Sequence, residues 1–276
     1  MRRRSAPARR SGAMAKGLPE LLATWDQTAA IAEAELRKLR HDPIELFTRV
    51  VQPLLWLLIF GKVMDRIRAI PTGGLPYLDF LAPGILAQSA LFISIFYGIS
   101  AIWERDSGVL TRYLVSPAPR WTLVLGKALG GGVRSLSQAV VIFGLSAALG
   151  VQIRWEPGAM LALLAFTLLG SALFSTLSLI VACLVKTRER LIGIGQLLTM
   201  PLFFASNAIY PIHLMPGWLR LVSRINPLTY LVDALRTLML VHSSSTVGLG
   251  TDLSVLAITL TALTILAAKL YPRILV

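Results

Sequence analysis

The chain has 276 residues, of which 55% are hydrophobic and only 15% charged, and its mean hydropathy is +0.69. A soluble domain of that length cannot hide so much apolar surface; the solvent that fits is a bilayer, which a helix crosses with about 20 mostly apolar residues. The net charge of +13 would suit nucleic acid, but the basic residues fall in short blocks between apolar runs, as Lys and Arg do beside anionic headgroups, so no nucleic-acid partner is expected.

Residues 1–17 carry Arg2, Arg3, Arg4, Arg9, Arg10 and Lys16 among Ala, Ser, Gly and Pro, which predicts a disordered basic tail in the cytoplasm. Over 18–42 the apolar positions Leu22, Trp25, Ala29, Ala32, Leu36 and Leu39 recur every three or four residues, with Asp26, Glu33, Arg37 and Arg40 on other sectors. That period predicts an amphipathic interfacial helix on the inner membrane surface.

Residues 43–276 then read as a membrane domain of six spans. The first, 44–64, is interrupted by Arg49, Pro53 and Lys62; the second, 80–103, holds no charge and has Pro83 and Gly84 near its start to bend it. The third has its uncharged stretch at 135–153, after a shoulder bearing Lys127 and Arg134. The fourth, 157–185, is uncharged, the fifth, 191–210, contains Pro201, and the sixth, 253–268, is short enough to need 246–251 as well. Six spans put both termini on one side. With the N-terminus inside, the cytoplasmic segments hold 20 Lys and Arg against seven outside (Lys62, Arg66, Arg68, Arg154, Arg220, Arg224 and Arg236), so both termini are expected in the cytoplasm. The fold class is all-α integral membrane.

Metal and redox chemistry find little support. Cys183 is the sole cysteine and sits in an apolar run, and His41, His213 and His242 have no metal-ligand spacing, so no metal site is expected.

The connection 104–121 between spans two and three is about 18 residues, far more than antiparallel helices need. Val109, Leu110, Tyr113 and Leu114 can form one apolar face of a short helix that Pro117 and Pro119 end. Such a helix suits either a partner's groove or the headgroup layer. A second distinctive segment is Asn226-Pro227-Leu228-Thr229-Tyr230-Leu231-Val232-Asp233-Ala234-Leu235-Arg236, within an outer-side amphipathic stretch, 211–242. Asn226 is a helix cap before Pro227, Asp233 and Arg236 fall on one helix face, and Leu228, Leu231, Leu235 and Leu238 predict a helix partly sunk in the outer leaflet.

Both segments resemble the signatures of ABC-2 type permeases, especially the daunorubicin-resistance branch. The first matches at Glu104, Arg105, Gly108 and Leu110, then Leu114, Ser116 and Pro117, then Leu125, Gly126 and Lys127; the second matches along 226–236; a third patch, 81–87 with Pro83-Gly84, resembles the entry to the family's second span. The resemblance implies a permease subunit in a bacterial inner membrane, paired with itself or with a paralogous permease. It further implies two copies of a separate nucleotide-binding ABC ATPase, which would carry ATP and Mg. The interfacial helix and the 104–121 loop would dock that ATPase through Glu104, Arg105, Asp106, Gly108, Leu110, Leu114, Ser116, Pro117 and Arg120. Asn226, Pro227, Asp233 and Arg236 would be structural.

The chain's own phosphate loop is missing: around Leu125-Gly126-Lys127, Trp121 stands where a glycine is needed and Ala128 where Mg needs a hydroxyl. No cofactor is therefore expected on this chain, and ATP hydrolysis is expected on the partner. The expected function is export of an amphipathic or lipid-like molecule such as a drug, polyketide or glycolipid. In-span Gln88, Ser94, Tyr97 and Asn207 are candidate path residues, with interhelical pairing as their alternative role, as for Gln138 and Gln196. A lipid-modifying enzyme would need a catalytic cluster that the sparse acids and histidines do not offer, and an ion-coupled transporter would need ionisable groups in spans two, four and five.

Overall fold

The computed structural model describes residues 51–68, 70–107, 120–185 and 187–270. The basic tail, the interfacial helix at 18–42 and most of the 104–121 loop lie outside these residues. What is described is all helix, with one isolated antiparallel bridge, Ile153 to Leu240, and no strand among the described residues.

A helical run from residue 51 passes through a π-helical stretch, Trp56–Gly61, into α1, Lys62–Ile67, and stops where Arg68 turns left-handed at φ 51°. Then follow α2 (Tyr77–Asp106), α3 (Arg120–Ala148), α4 (Pro157–Leu184), α5 (Arg188–Phe204), α6 (Gly217–Ile225), α7 (Pro227–Met239) and α8 (Leu249–Leu270). Four stretches are long and apolar enough to cross a bilayer: Tyr77–Trp103, Val124–Ala148, Pro157–Leu184 and Leu249–Leu270. The chain is thus a multi-pass membrane protein. α5 has 17 residues and ends in the turn at Ala205, short of the 191–210 reading. α8 starts at Leu249, so the last crossing does take in residues upstream of 253. α3 runs unbroken from Arg120, which puts Lys127 and Arg134 inside the helix rather than on a shoulder before it.

α4 is the central rod, packed on α2, α3, α7 and α8. Lipid tails are as apolar as leucine, so helices in a bilayer gain from close backbone approach, and small residues supply it. Gly98 of α2 and Gly131 of α3 lie against Ser178 and Ser175 of α4, and the Ser178 hydroxyl donates to the Ile95 carbonyl. Gly170 leaves room for Leu231 of α7.

The core divides in two. A large cluster fills the half nearer Tyr77, built on Leu81, Ile85, Phe174, Phe203, Leu231 and Leu235; a smaller one, with Ala101, Ile102, Val124, Leu179 and Leu191, fills the half nearer Asp106.

Gly84 marks the tightest backbone approach in the first half: a Cβ there would sit 2.5 Å from the Ala208 carbonyl oxygen. Gly84→Ala should therefore lower the melting temperature of the purified protein in detergent, by the equivalent of about 1–3 kcal/mol. Gly144→Ala, where a Cβ meets nothing within 4 Å, should not lower it and should raise it slightly, since Ala is the better helix former.

Candidate functional site

Two regions carry the motif residues, one at each end of the bundle. At the Tyr77 end, Pro83 within α2 removes a helix hydrogen bond and its ring crowds the carbonyls of the preceding turn. One of those carbonyls is taken by a distant side chain. Arg236 of α7 donates through Nη2 to Phe80 O at 3.2 Å and to Asn207 O at 2.8 Å, and its guanidinium lies 3.8 Å over the Phe80 ring. Burial pulls its pKa down to about 10, against the opposing influence of Asp233 and Tyr77, so it stays cationic at neutral pH. Nearby, the Tyr77 hydroxyl donates to Ile209 O at 2.9 Å, fixing the same 205–209 turn to the start of α2.

Asn226 works at both ends of its amide. Its Oδ1 accepts from Leu228 N at 3.0 Å and caps α7, and its Nδ2 donates to Leu202 O at 2.7 Å in the last turn of α5. Pro227 occupies the first helical position, where the missing N–H costs nothing. Asp233 accepts from the Ser245 hydroxyl at 2.7 Å, from Thr246 N at 2.9 Å and from the Thr246 hydroxyl, and Ser245 also reaches Asp252 of α8 at 3.3 Å. Asp233 and Arg236 therefore serve separate partners, although their spacing puts them on one helix face. α7 is sunk in protein rather than lipid, with Leu228, Leu231 and Leu235 fully buried. The outward apolar face belongs to α6, where Trp218, Leu221 and Ile225 are exposed.

At the Asp106 end, Glu104 and Arg105 belong to the last turn of α2, Asp106 ends it and Arg120 opens α3. Gly108, Leu110, Leu114, Ser116 and Pro117 lie outside the described residues. Asp106 is ion-paired at 3.1 Å with Arg188, which begins α5 and lies 3.9 Å over the Trp103 ring. Arg188 and Trp103 were not singled out by sequence reasoning: partners 82 positions apart leave no local spacing to read. The pair is half-exposed, so it contributes about 1 kcal/mol or less to stability and acts as a contact between helix ends.

The four path residues do not converge. Gln88 and Tyr97 line a cavity of about 240 Å³ between residues 52–53, α2 and α3, together with Gln138. Ser94 is buried beside Ser135 of α3, their hydroxyls 3.5 Å apart. Asn207 is in the turn after α5, its carbonyl holding Arg236 and its Oδ1 buried without a hydrogen-bond partner among the described residues. The geometry offers packing, a polar cavity and a tethered helix end: the parts of a protein that binds and moves.

That class is a helical membrane transport component. Residues 26–240 match the family model described as ABC-2 type transporter, and the chain belongs to that family. A relative in Cyanophora paradoxa, named transport permease ycf38, is 34% identical over 75% of this chain and 71% of its own length. The daunorubicin resistance ABC transporter permease protein DrrB1 of Streptomyces coeruleorubidus is 28% identical over 72% of this chain and 70% of its own. Nodulation protein J of Rhizobium leguminosarum bv. trifolii is 28% identical over 71% and 74%.

Removing the buried cation takes a charged donor away from Phe80 O and Asn207 O in an apolar setting. Arg236→Gln should cost about 3 kcal/mol or more and sharply reduce the monodisperse fraction on size-exclusion chromatography. Arg236→Lys should recover part of the loss.

Proposed function

We propose that the chain is the permease subunit of an ATP-driven exporter that moves an amphipathic or lipid-like molecule out of the cytoplasm or inner leaflet. The family match over residues 26–240 carries this reading, and the drug-resistance name of one relative supports an amphipathic cargo. In this reading the membrane domain has six spans, the helical run from residue 51 and α5 completing the set. The Asp106 end and both termini face the cytoplasm, and the Tyr77 end faces outward, as the bias of Lys and Arg favours even with Lys127 and Arg134 set aside as lying within α3. The permease works as a dimer in a bacterial inner membrane, as a pair of identical chains or with a paralogue. Two copies of a separate ABC ATPase supply ATP hydrolysis with Mg. The interfacial helix at 18–42 and the coupling loop 104–121 form the docking surface, with Glu104, Arg105, Asp106, Gly108, Leu110, Leu114, Ser116, Pro117 and Arg120 as coupling residues.

The mechanical consequence follows from where the loop joins the helices. A push on 104–121 acts directly on the ends of α2 and α3, and the Asp106–Arg188 pair carries it to the start of α5. The smaller core cluster resists this motion less than the larger one, which the Arg236, Asn226 and Asp233 contacts close. The cytoplasmic half moves and the outer half holds shape, so cargo is released where α2, α3 and α5 spread along the dimer interface. Gln88, Ser94, Tyr97 and Asn207 remain candidate path residues, the first and third by their place on the cavity.

Co-purification with the product of a neighbouring reading frame that carries Walker A and ABC signature sequences tests the pairing. Glu104→Gln and Gly108→Ala should lower transport-coupled ATPase activity at least ten-fold while leaving membrane insertion intact. Normal coupling in both variants would remove the docking assignment.

A further inference from the structure

Where α7 meets the approach to α8, two buried carboxyl groups share one hydroxyl, and they are not equivalent. Asp233 of α7 and Asp252 of α8 are 3% and 0% exposed, and the Ser245 hydroxyl lies 2.7 Å from the first and 3.3 Å from the second. Asp233 collects the donors: the hydroxyls of Ser245 and Thr246 and the amides of Thr246 and Val247. Asp252 has none to itself. A serine hydroxyl carries one hydrogen, and this one serves Asp233 at the shorter distance, while the Ser245 oxygen accepts from Gly248 N at 2.6 Å. The Asp252 Oδ1 atom is buried without a hydrogen-bond partner, and no Lys, Arg or His pairs with this carboxyl among the described residues.

The charges around Asp252 do not balance an anion. Asp233 is the charged group that faces it from α7, and it would repel one. Arg236, three residues along α7, spends its Nη2 on Phe80 O and Asn207 O. Arg154 reaches Val241 O, and Glu156 and His242 are exposed. α4, packed along α8, holds no charged residue in Pro157–Leu184, and the last charge of α3 is Arg134, toward its Asp106 end. The first turn of α8 favours an anion through its free N–H groups, but by less than an unpaired, fully buried carboxylate costs. A neutral acid removes the conflict, because its own O–H donates to the Ser245 oxygen. We propose that Asp252 is a proton-binding site: with its proton it docks α8 on α7 through Ser245, and without it two carboxylates face one hydroxyl and the joint is released. Ser245 is half-buried and Thr246 exposed, so water that takes up the proton is within one side chain of the cluster. The site does not depend on the export reading.

Infrared spectroscopy of the full chain in nanodiscs at neutral pH tests the charge state. The wild type should show a carboxylic-acid carbonyl band that Asp252→Asn removes and Asp233→Asn keeps. The side chain of Asp252→Asn is neutral and donates to Ser245 as the acid does, so this variant should match or exceed the wild-type melting temperature. Asp233→Asn, which takes a charged acceptor away from its donors, should melt several degrees lower. The docked form holds a proton that a water-exposed aspartate releases above about pH 4, so by linkage wild-type stability falls as pH rises beyond that value, and Asp252→Asn should flatten the fall. A band unchanged in Asp252→Asn, a melting temperature of that variant well below wild type, or equal pH profiles would each overturn the proposal. Loss of the band in Asp233→Asn alone would put the proton on Asp233 and overturn it as well. So would stabilisation of the wild type, and not of Asp252→Asn, by sodium or calcium ions, which would assign the carboxylate to a metal ion.

Discussion

A guanidinium can be buried among apolar helices only where carbonyls take up its donors, and the Tyr77 half of this protein is arranged around that constraint. Pro83 disturbs the carbonyls of the first turn of α2, and Arg236 reaches from α7 to take the one at Phe80. The same guanidinium holds Asn207 O, and the turn carrying Asn207 packs on Gly84, one residue after the proline. Proline, glycine and arginine thus form one unit spread over 154 positions of sequence. Asn226 joins that unit to α5, and Asp233 joins it to the approach to α8.

The Asp106 half is built on a different principle. Its apolar cluster is smaller, and its helix ends meet through a half-exposed ion pair and the Trp103 ring. A well-packed core with a buried charge network resists shear, whereas a surface pair can be remade at little cost. A transporter driven from one face needs that inequality. In the proposed reading, force applied beside Asp106 would be resisted at the far end, with the small-residue contacts at Gly98 and Gly131 as the pivot.

How much of this the sequence discloses depends on the range of each interaction. The crossings at 80–103 and 157–185 are legible because an uncharged apolar run of that length has few other uses. The cap at Asn226 is legible because it reaches only to Leu228. Asp233 and Arg236 look like a pair from their spacing, yet their partners lie on a loop and a helix that spacing cannot see. Arg134 reads as the edge of a span because charge is taken to end one; only the unbroken α3 and the cavity beside it put the cation at depth. The leucines of α7 imply burial without saying whether lipid or protein does the burying; in the structure other helices bury them, and the exposed apolar face belongs to α6.

The central claim is that motion enters at the Asp106 end and is held at the Tyr77 end. Hydrogen–deuterium exchange of the permease–ATPase complex in nanodiscs, with and without a non-hydrolysable nucleotide, measures it directly. The account predicts nucleotide-dependent exchange in segments 98–107, 120–131 and 187–200, and none in 77–90 or 203–239. Exchange that changes in 203–239 while 98–131 stays constant would contradict it.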